Sequence, residues 1–225
     1  QRRESLDDKR QRYVQHLTAY QNADWAARFA ARITRVAEAE DRVLGPTGRK
    51  GRALTEAAAF GLFRLMSYKD EYEVARLLGD QAFEARLREQ FDGDLRLNFH
   101  LAPPLWAKAG PDGRPRKTQY GPWLAPVLRL LAKGKALRGT AFDLFGHTEE
   151  RRTERALISE YEALLDEIVS VLTADNHVAA VALAQVVESL RGFGPVKHAR
   201  LAPMRALWAQ RLAEFRHPQP ARKAA

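Results

Sequence analysis

The sequence contains no cysteine among its 225 residues. This excludes disulfides, thiolate zinc sites, cysteine-ligated iron–sulfur clusters and cysteine nucleophiles from this segment, and it agrees with a reducing compartment. The sequence also has no stretch near the ~18 consecutive apolar residues that a membrane helix needs. Residues 1–5 lack the apolar core of a signal peptide. We therefore expect a cytoplasmic protein that does not enter a membrane.

Motifs that carry chemistry by themselves are absent as well. None of the 6 histidines has the H-x-x-x-H or H-E-x-x-H spacing of a helical zinc site. The sequence has no G-x-G-x-x-G loop, no serine in a G-x-S-x-G setting, and no Gly-Asp-Gly motif of the kind that holds magnesium in thiamine-diphosphate enzymes. The sequence therefore predicts no catalytic residue, no metal site and no cofactor bound by this segment.

A helical period dominates the pattern of apolar residues. They recur at spacings of three and four through most of the sequence, which is typical of amphipathic helices. Residues 94–101 instead alternate polar and apolar side chains, as in a half-buried strand, and residues 117–120 are a candidate second strand. The predicted fold is mainly α: a helical bundle with one minor β element, a strand or hairpin near residues 94–120.

Local signals also predict where helices begin and end. Asn22, Thr148 and Thr173 stand where the N-caps of three helices are expected. Gly192 stands where the helix after Thr173 should end.

The domain prediction follows from the continuity of this helical pattern. We predict one mainly helical domain over residues 1–217, with any waist at residues 94–121 and a frayed tail over residues 218–225. Because the sequence begins with Gln1 and continues with the pattern of a helix interior, we expect it to be part of a longer polypeptide.

Positive charge is concentrated in the middle of the sequence. The formal net charge is +9, and eight lysines and arginines lie within residues 106–140 against one acidic residue. Such a concentration is favourable where a neighbour supplies acids, so we expect an acidic partner here, with Arg114, Arg116 and Lys117 as the candidate partner surface. A solvated face is the alternative. Nucleic acid is not the expected partner, because no zinc-finger, RNP or basic-zipper spacing organises these cations.

The densest group of functional side chains begins just after Tyr68. Lys69, Asp70, Glu71 and Arg76 are candidates for contacts with a ligand or an interface. The competing interpretation is a set of intrahelical ion pairs, which are common and individually weak, together with aromatic residues that anchor an interface.

Three further residues are candidates for contact with a ligand or an interface. His100 lies on the predicted strand and is either a functional group or a satisfied, partly buried histidine. Arg191 begins an Arg-Gly-Phe-Gly run whose glycines are typical of a helix stop, and Lys197 follows this run.

Several longer motifs occur in a fixed order along the chain. They are YKDEYEVARLL (68–78), FHLAPPL (99–105), YGPW (120–123), LRGTAFDLFGHTEERR (137–152), EYEALLDE (160–167) and RGFGPVK (191–197). In this order they resemble the C-terminal domain of the fused bacterial indolepyruvate ferredoxin oxidoreductases. The resemblance covers nearly the whole chain, and the ordered set is far more specific than any one motif.

The resemblance implies a parent activity and a place for this segment within it. These enzymes oxidatively decarboxylate aryl 2-oxoacids to acyl-CoA with thiamine diphosphate, magnesium and a [4Fe–4S] cluster, and pass the electrons to ferredoxin. By resemblance the segment is a non-catalytic structural or capping domain, inactive alone, whose partners are the upstream catalytic domains of the same polypeptide. Ferredoxin and CoA are then partners of the parent enzyme, and a homo-oligomer is expected. The alternative is a stand-alone helical binding module whose basic surface holds an acidic protein, a nucleotide or RNA.

Overall fold

A computed structural model describes residues 4–45, 52–93, 96–102 and 116–217. These residues form a mainly α fold with one small antiparallel sheet, so the predicted fold class is confirmed. Within these ranges no helix is both long enough and apolar enough to cross a bilayer. The helices are α1 (Leu6–Tyr20), α2 (Ala23–Leu44), α3 (Ala53–Met66), α4 (Glu71–Leu78), α5 (Gln81–Gln90), α6 (Leu124–Lys133), α7 (Glu149–Val171), α8 (His177–Ala184) and α9 (Pro195–Arg216), with 3-10 helices at Gly134–Leu137 and Gln185–Ser189. The strands are β1 (Phe99–Leu101) and β2 (Thr118–Tyr120).

The chain divides into two compact units. The larger unit comprises Gln1–Tyr68 and Asp143–Ala225, and the smaller unit comprises Lys69–Phe142. The segment 94–121, where the sequence suggested a waist, lies inside the smaller unit, and the chain passes between the units at residues 68–69 and 142–143. A single domain over residues 1–217 stays a prediction, and the predicted frayed tail, 218–225, lies outside the described residues.

The core of the larger unit is built around α3. This helix is apolar on most sides and packs on α1, α2, α7 and α8. A helix that is apolar on most sides needs neighbours on those sides, and four helices cover α3 there, while Phe60 remains partly exposed. Its fully or almost fully buried residues include Leu54, Ala58, Leu62, Leu65 and Met66.

The close packing of α7 against α3 depends on a glycine at position 61, which has no side chain. A Cβ at Gly61 would overlap the hydroxyl of Tyr161 and lie 2.8 Å from a methyl group of Val187. Tyr161 is fully buried, and its hydroxyl donates to the carbonyl of Ala184 at 2.7 Å. Burial raises the pKa of Tyr161, so the hydroxyl keeps its proton and remains a donor. Gly61 thus lets α7 approach α3 closely enough to bury this tyrosine.

Local capping explains several helix starts. Asn22 accepts a hydrogen bond from the amide of Trp25 at 2.8 Å, and Thr148 accepts one from the amide of Arg151, so both predicted N-caps are confirmed. The predicted cap at Thr173 is wrong. Thr173 and Asn176 exchange hydrogen bonds across a turn, which delays the start of α8 to His177.

The end of that same helix also differs from the prediction. The α-helix stops at Ala184 and continues as a 3-10 helix to Ser189, before the predicted stop at Gly192. Arg64 of α3 donates to the carbonyls of Glu188 and Leu190, at 3.3 and 2.7 Å. A side chain from another helix therefore satisfies carbonyls that an extra helical turn would otherwise have used.

The smaller unit combines α4, α5, α6 and a hairpin. β1 and β2 pair antiparallel, with Phe99 opposite Tyr120 and Leu101 opposite Thr118, which confirms the predicted β element. Pairing covers only three residues of each strand, and Leu95 at the start of the predicted strand lies outside the described residues. The buried cluster of this unit consists of Ala75, Phe99, Leu124 and Leu128.

Candidate functional site

A buried ion pair joins the two ends of the smaller unit's sequence. Asp70 precedes α4 as its N-cap and accepts a hydrogen bond from the amide of Glu73 at 2.8 Å. Arg138, which follows the 3-10 helix, donates to both carboxylate oxygens of Asp70, at 2.6 and 2.9 Å. Each of the two side chains is only 3% exposed. The Asp70 carboxylate therefore caps the N-terminus of α4 and pairs with the guanidinium of Arg138 at the same time.

A second ion pair lies one turn further along α4. Arg76 donates to the two carboxylate oxygens of Glu73, at 2.8 and 2.6 Å. The hydrogen bonds that Arg76 donates to the Glu73 carboxylate raise the pKa of Arg76. Burial lowers the pKa of Lys135, and the nearby charges of Arg76 and Arg138 lower it further. Three cations and two acids thus meet at one place, which we call the charged seam: Asp70, Glu73, Arg76, Lys135 and Arg138.

Tyr72 provides the aromatic wall of the charged seam. The guanidinium carbon of Arg138 lies 5.7 Å from the centre of the Tyr72 ring. A Cβ at Gly134 would lie 2.7 Å from Cε1 of the same ring. A larger residue at 134 would therefore push the ring away, so Gly134 allows the chain after α6 to pass against Tyr72.

The predicted site residues of the 69–76 group are only partly brought together. Asp70 and Arg76 belong to the charged seam, whereas Lys69 is exposed and Glu71 is half-buried at the first position of α4. The intrahelical alternative is correct for Arg76, which pairs with Glu73 three residues before it. It is wrong for Asp70, because its partner Arg138 lies 68 residues away in the chain.

The candidates on the hairpin are exposed. His100 on β1 lies opposite Gln119, and its side chain faces solvent. This corrects the interpretation of His100 as a partly buried histidine. Arg116 and Lys117 are exposed just before β2, and Arg114 lies outside the described residues.

The other two candidates belong to the larger unit. Lys197, in the first turn of α9, forms an ion pair with Glu154 of α7, whose side chain is only 6% exposed. This pair lies in a cleft of about 420 Å³, whose lining also includes Glu149, Glu150 and His198. Arg191 is exposed and donates to the carbonyl of Glu188 at 3.4 Å.

Sequence analysis missed a buried carboxylate in the larger unit. Glu40 of α2 is fully buried. One of its oxygens accepts from the amide of Leu54 at 2.9 Å and lies 2.7 Å from Nε2 of His177, while the other accepts from the amide and the hydroxyl of Thr55, at 2.9 and 2.6 Å. Glu40 therefore caps α3 and holds the first residue of α8. Its position in step with Ile33 and Val36 on the buried face of α2 is the signal that could have revealed it.

The buried carboxylates described above mainly stabilise the fold. The carboxylate oxygens of Asp70, Glu73 and Glu40 each accept at least one strong hydrogen bond from within the fold. A carboxylate held in this way must break a fold-stabilising contact before it can move a proton or bind a ligand. In the part of the chain that the structure describes, no group of three or more His, Asp or Glu side chains is arranged to hold a metal ion.

Comparisons with known proteins give one result. Neither the curated proteins nor the solved structures contain a significant match to the chain. A family model matches residues 6–210, which is most of the sequence and spans both compact units. The chain therefore belongs to DUF6537, a family of unknown function.

Proposed function

We propose that the chain is a non-catalytic structural domain that caps the catalytic domains of a larger oxidoreductase of the indolepyruvate ferredoxin type. That enzyme would oxidatively decarboxylate aryl 2-oxoacids to acyl-CoA. The parent activity rests on the resemblance of the six ordered motifs. The structural role of this chain rests on what the charged residues of those motifs contact.

One observation supports the structural role: the charged residues of these motifs form ion pairs with other residues of the fold. Asp70 in YKDEYEVARLL pairs with Arg138 in LRGTAFDLFGHTEERR, so two of the motifs meet in the charged seam. Lys197 in RGFGPVK pairs with Glu154 of α7. Motif residues that hold one helix to another are the residues a scaffold needs.

The acidic residues of the EYEALLDE motif are also paired within the fold. They lie on α7 and pair with arginines of α2 and α9. The pairs are Glu160 with Arg205, Glu162 with Arg28, Asp166 with Arg32 and Arg35, and Glu167 with Arg216. All of them lie within the larger unit, where they fasten α2 and α9 to α7.

The cofactors of the parent enzyme do not fit the residues of this chain. A [4Fe–4S] cluster is held by cysteine thiolates, and the chain has no cysteine. Magnesium with thiamine diphosphate needs free oxygen ligands, whereas Asp70 and Glu73 are occupied by guanidinium groups. The proposal therefore assigns these cofactors to other domains and derives no step of the reaction from this chain.

The coding sequence tests directly whether the chain is part of a larger enzyme. We expect the reading frame upstream of residue 1 to continue into a polypeptide that carries a Gly-Asp-Gly motif and a cysteine cluster. A stop codon shortly upstream, with no such motifs in the frame, would overturn the assignment to a larger enzyme.

The structural role is tested in that longer enzyme. Arg138→Met should lower the yield of assembled enzyme, while turnover per cofactor-loaded active site and the KM for the aryl 2-oxoacid stay unchanged. Arg88→Met is the matched control, because Arg88 forms an exposed pair with Glu84 on α5. A normally assembled Arg138→Met enzyme with a lower kcat would show that the charged seam takes part in catalysis.

A stand-alone binding module is the second candidate function. The observation that favours it is the absence of any acidic residue between residues 113 and 142, a stretch that holds seven lysines and arginines. A closed upstream reading frame together with specific binding by the isolated chain would select this alternative.

A further inference from the structure

Helix α6 is apolar on two sides, and only one of them is covered. Leu124 and Leu128 are buried in the core of the smaller unit, and Ala125, Leu131 and Ala132 pack against that core. The opposite side carries a second apolar row, and this row faces solvent. Aligned apolar side chains that remain in water are candidates for a contact with a partner.

The uncovered row consists of Trp123, Val127 and Leu130, which we call the α6 stripe. Their exposed fractions are 62%, 48% and 70%. The spacing of four and three residues places them along one face of the helix over about 10 Å. The ring of Trp123 meets that of Tyr120 edge to face at 6.0 Å, so the Trp123 ring has a defined position although it is exposed. Large apolar residues aligned in this way are typical of a protein-binding surface.

The charge that α6 itself contributes next to the α6 stripe has one sign. α6 itself carries Arg129 and Lys133 and no acidic residue. Arg116 and Lys117, just before β2, are exposed cations as well. Asp70, the acid that pairs with Arg138, is buried in the charged seam and therefore does not offset the charge of this surface.

We propose that the α6 stripe binds an acidic amphipathic helix of a protein partner. Leucine-like side chains of the partner would cover Trp123, Val127 and Leu130, and its carboxylates would face Arg129 and Lys133. This is the helix-in-groove mode of recognition, in which spaced apolar anchors supply affinity and charge supplies orientation and speed of association.

Charge complementarity selects this partner over the others. A second copy of the chain, docked symmetrically through the same stripe, would bring the cations of both α6 helices into one interface, and α6 supplies no acid to pair with them. A nucleic acid would need stacked aromatic rings, whereas two of the three stripe residues are aliphatic. An acidic helix satisfies both the apolar row and the cations.

The inference goes beyond the proposed function and does not depend on it. The reading-frame experiment can therefore fail while the binding experiment succeeds, and the reverse also holds.

The experiment uses the full chain and a labelled helical peptide of about 16 residues, with leucines on one face, glutamates flanking them and alanines opposite. We expect fluorescence anisotropy to show a Kd of about 10–100 μM, as is usual for a small contact. The affinity should fall as salt rises, because exposed charges are screened. A peptide with lysines in place of the glutamates should not bind.

Matched variants assign the binding to the α6 stripe. Val127→Ser with Leu130→Ser should weaken binding about tenfold or more, because central apolar anchors carry most of the energy of such contacts. Arg129→Ser with Lys133→Ser should weaken it severalfold and flatten the salt dependence. Val178→Ser is the control, since Val178 is an exposed apolar residue of α8 in the larger unit. Circular dichroism confirms that each variant is folded.

Five results would overturn the proposal. The first is no binding of the acidic peptide at millimolar concentration, and the second is equal binding of the lysine peptide. The third is binding that Val127→Ser with Leu130→Ser leaves unchanged. The fourth is tighter binding of single-stranded RNA or of anionic lipid vesicles with the same dependence on the stripe residues. The fifth is concentration-dependent dimerisation that requires Leu130, which would favour a second copy of the chain over an acidic helix as the partner.

Discussion

The larger unit has an extensive apolar core, whereas the buried cluster of the smaller unit, among the residues that the structure describes, consists of Ala75, Phe99, Leu124 and Leu128. The smaller unit adds the charged seam, in which Asp70 and Arg138 are nearly inaccessible to solvent. A large apolar core stabilises by the area that it removes from water. A small unit has less area to bury, and it depends more on well-formed polar contacts.

The most buried Glu or Asp helix cap described in each unit, Glu40 in the larger and Asp70 in the smaller, is held differently. Glu40 in the larger unit accepts hydrogen bonds from backbone amides and side chains of the helices that it joins. Asp70 in the smaller unit shares its charge with a guanidinium. The comparison predicts that the larger unit is most sensitive to loss of apolar volume, and the smaller unit to loss of one charge from a pair.

The largest effect is expected from Phe29→Ala in the larger unit. Phe29 is fully buried on α2, and removing a buried phenylalanine side chain costs about 3–5 kcal/mol. Urea denaturation followed by circular dichroism measures the change in the free energy of unfolding. Phe83→Ala on α5 is the control, because Phe83 is 42% exposed and should cost much less. Equal costs at the two positions would contradict the assignment of Phe29 to the core.

Arg138→Met tests the smaller unit. It leaves the buried Asp70 carboxylate without its cation, and breaking such a pair costs about 3 kcal/mol. We expect the lower end of the known range, because Asp70 keeps its hydrogen bond from the amide of Glu73. Hydrogen exchange of the α4 amides reports the local loss of stability.

The double variant Asp70→Asn with Arg138→Met sharpens this test. It removes both charges and retains an N-cap side chain, so it should recover most of the stability lost in Arg138→Met. A double variant as unstable as Arg138→Met alone would mean that Arg138 acts through its contact with Tyr72 and not through its charge.

Glu40→Gln should have a smaller effect, about 1–3 kcal/mol. The amide group replaces one acceptor oxygen with a donor, which then opposes an amide or hydroxyl donor at the start of α3. Thermal unfolding measures the loss, and Glu38→Gln on the exposed side of α2 is the matched control. A loss of stability within about 0.5 kcal/mol of that of the control would show that Glu40 does not stabilise the start of α3.

The smallest effect concerns the surface pair of Glu167 and Arg216. The hydrogen bond from Arg216 lowers the pKa of Glu167 below its ordinary value. A lowered carboxyl pKa adds stability above the unfolded-state pKa of about 4.3, and this stability is lost as the pH falls through the folded-state pKa. Arg216→Gln should therefore lower the thermal midpoint slightly at pH ~7, and this difference should shrink as the pH falls through the folded-state pKa of Glu167. Arg200→Gln on the same helix serves as the control, and a midpoint difference that persists in acid would show that the pair does not act through charge.

Local sequence predicted the features that depend on nearby residues. The helical class, the hairpin and the caps at Asn22 and Thr148 all involve hydrogen bonds between residues close in the chain or opposite in a short hairpin. The cap at Thr173 failed for an equally local reason. Asn176 competes for the same backbone groups, and residue preference alone does not decide between two adjacent capping side chains.

The candidate site was predicted only in part. Asp70 and Arg76 were both among the candidates, and the structure places both in the charged seam. The pairing of Arg76 with Glu73 follows from helical spacing. Arg138 was grouped with the exposed basic residues, although the structure buries it. A sequence pattern does not distinguish a solvated arginine from one whose acid lies 68 residues away.

The amino-acid sequence by itself determined the helical period, the short hairpin, the local caps and the acid-free basic stretch, because each depends on residue types at short spacing. The tertiary structure decided which charges are buried and which apolar faces are covered. Arg138 is paired because the chain after α6 returns to the start of α4, and Glu40 is satisfied because α3 and α8 begin beside it. Leu128 and Leu130 belong to the same apolar helix, yet only Leu128 is covered, because burial depends on where the neighbouring elements pack.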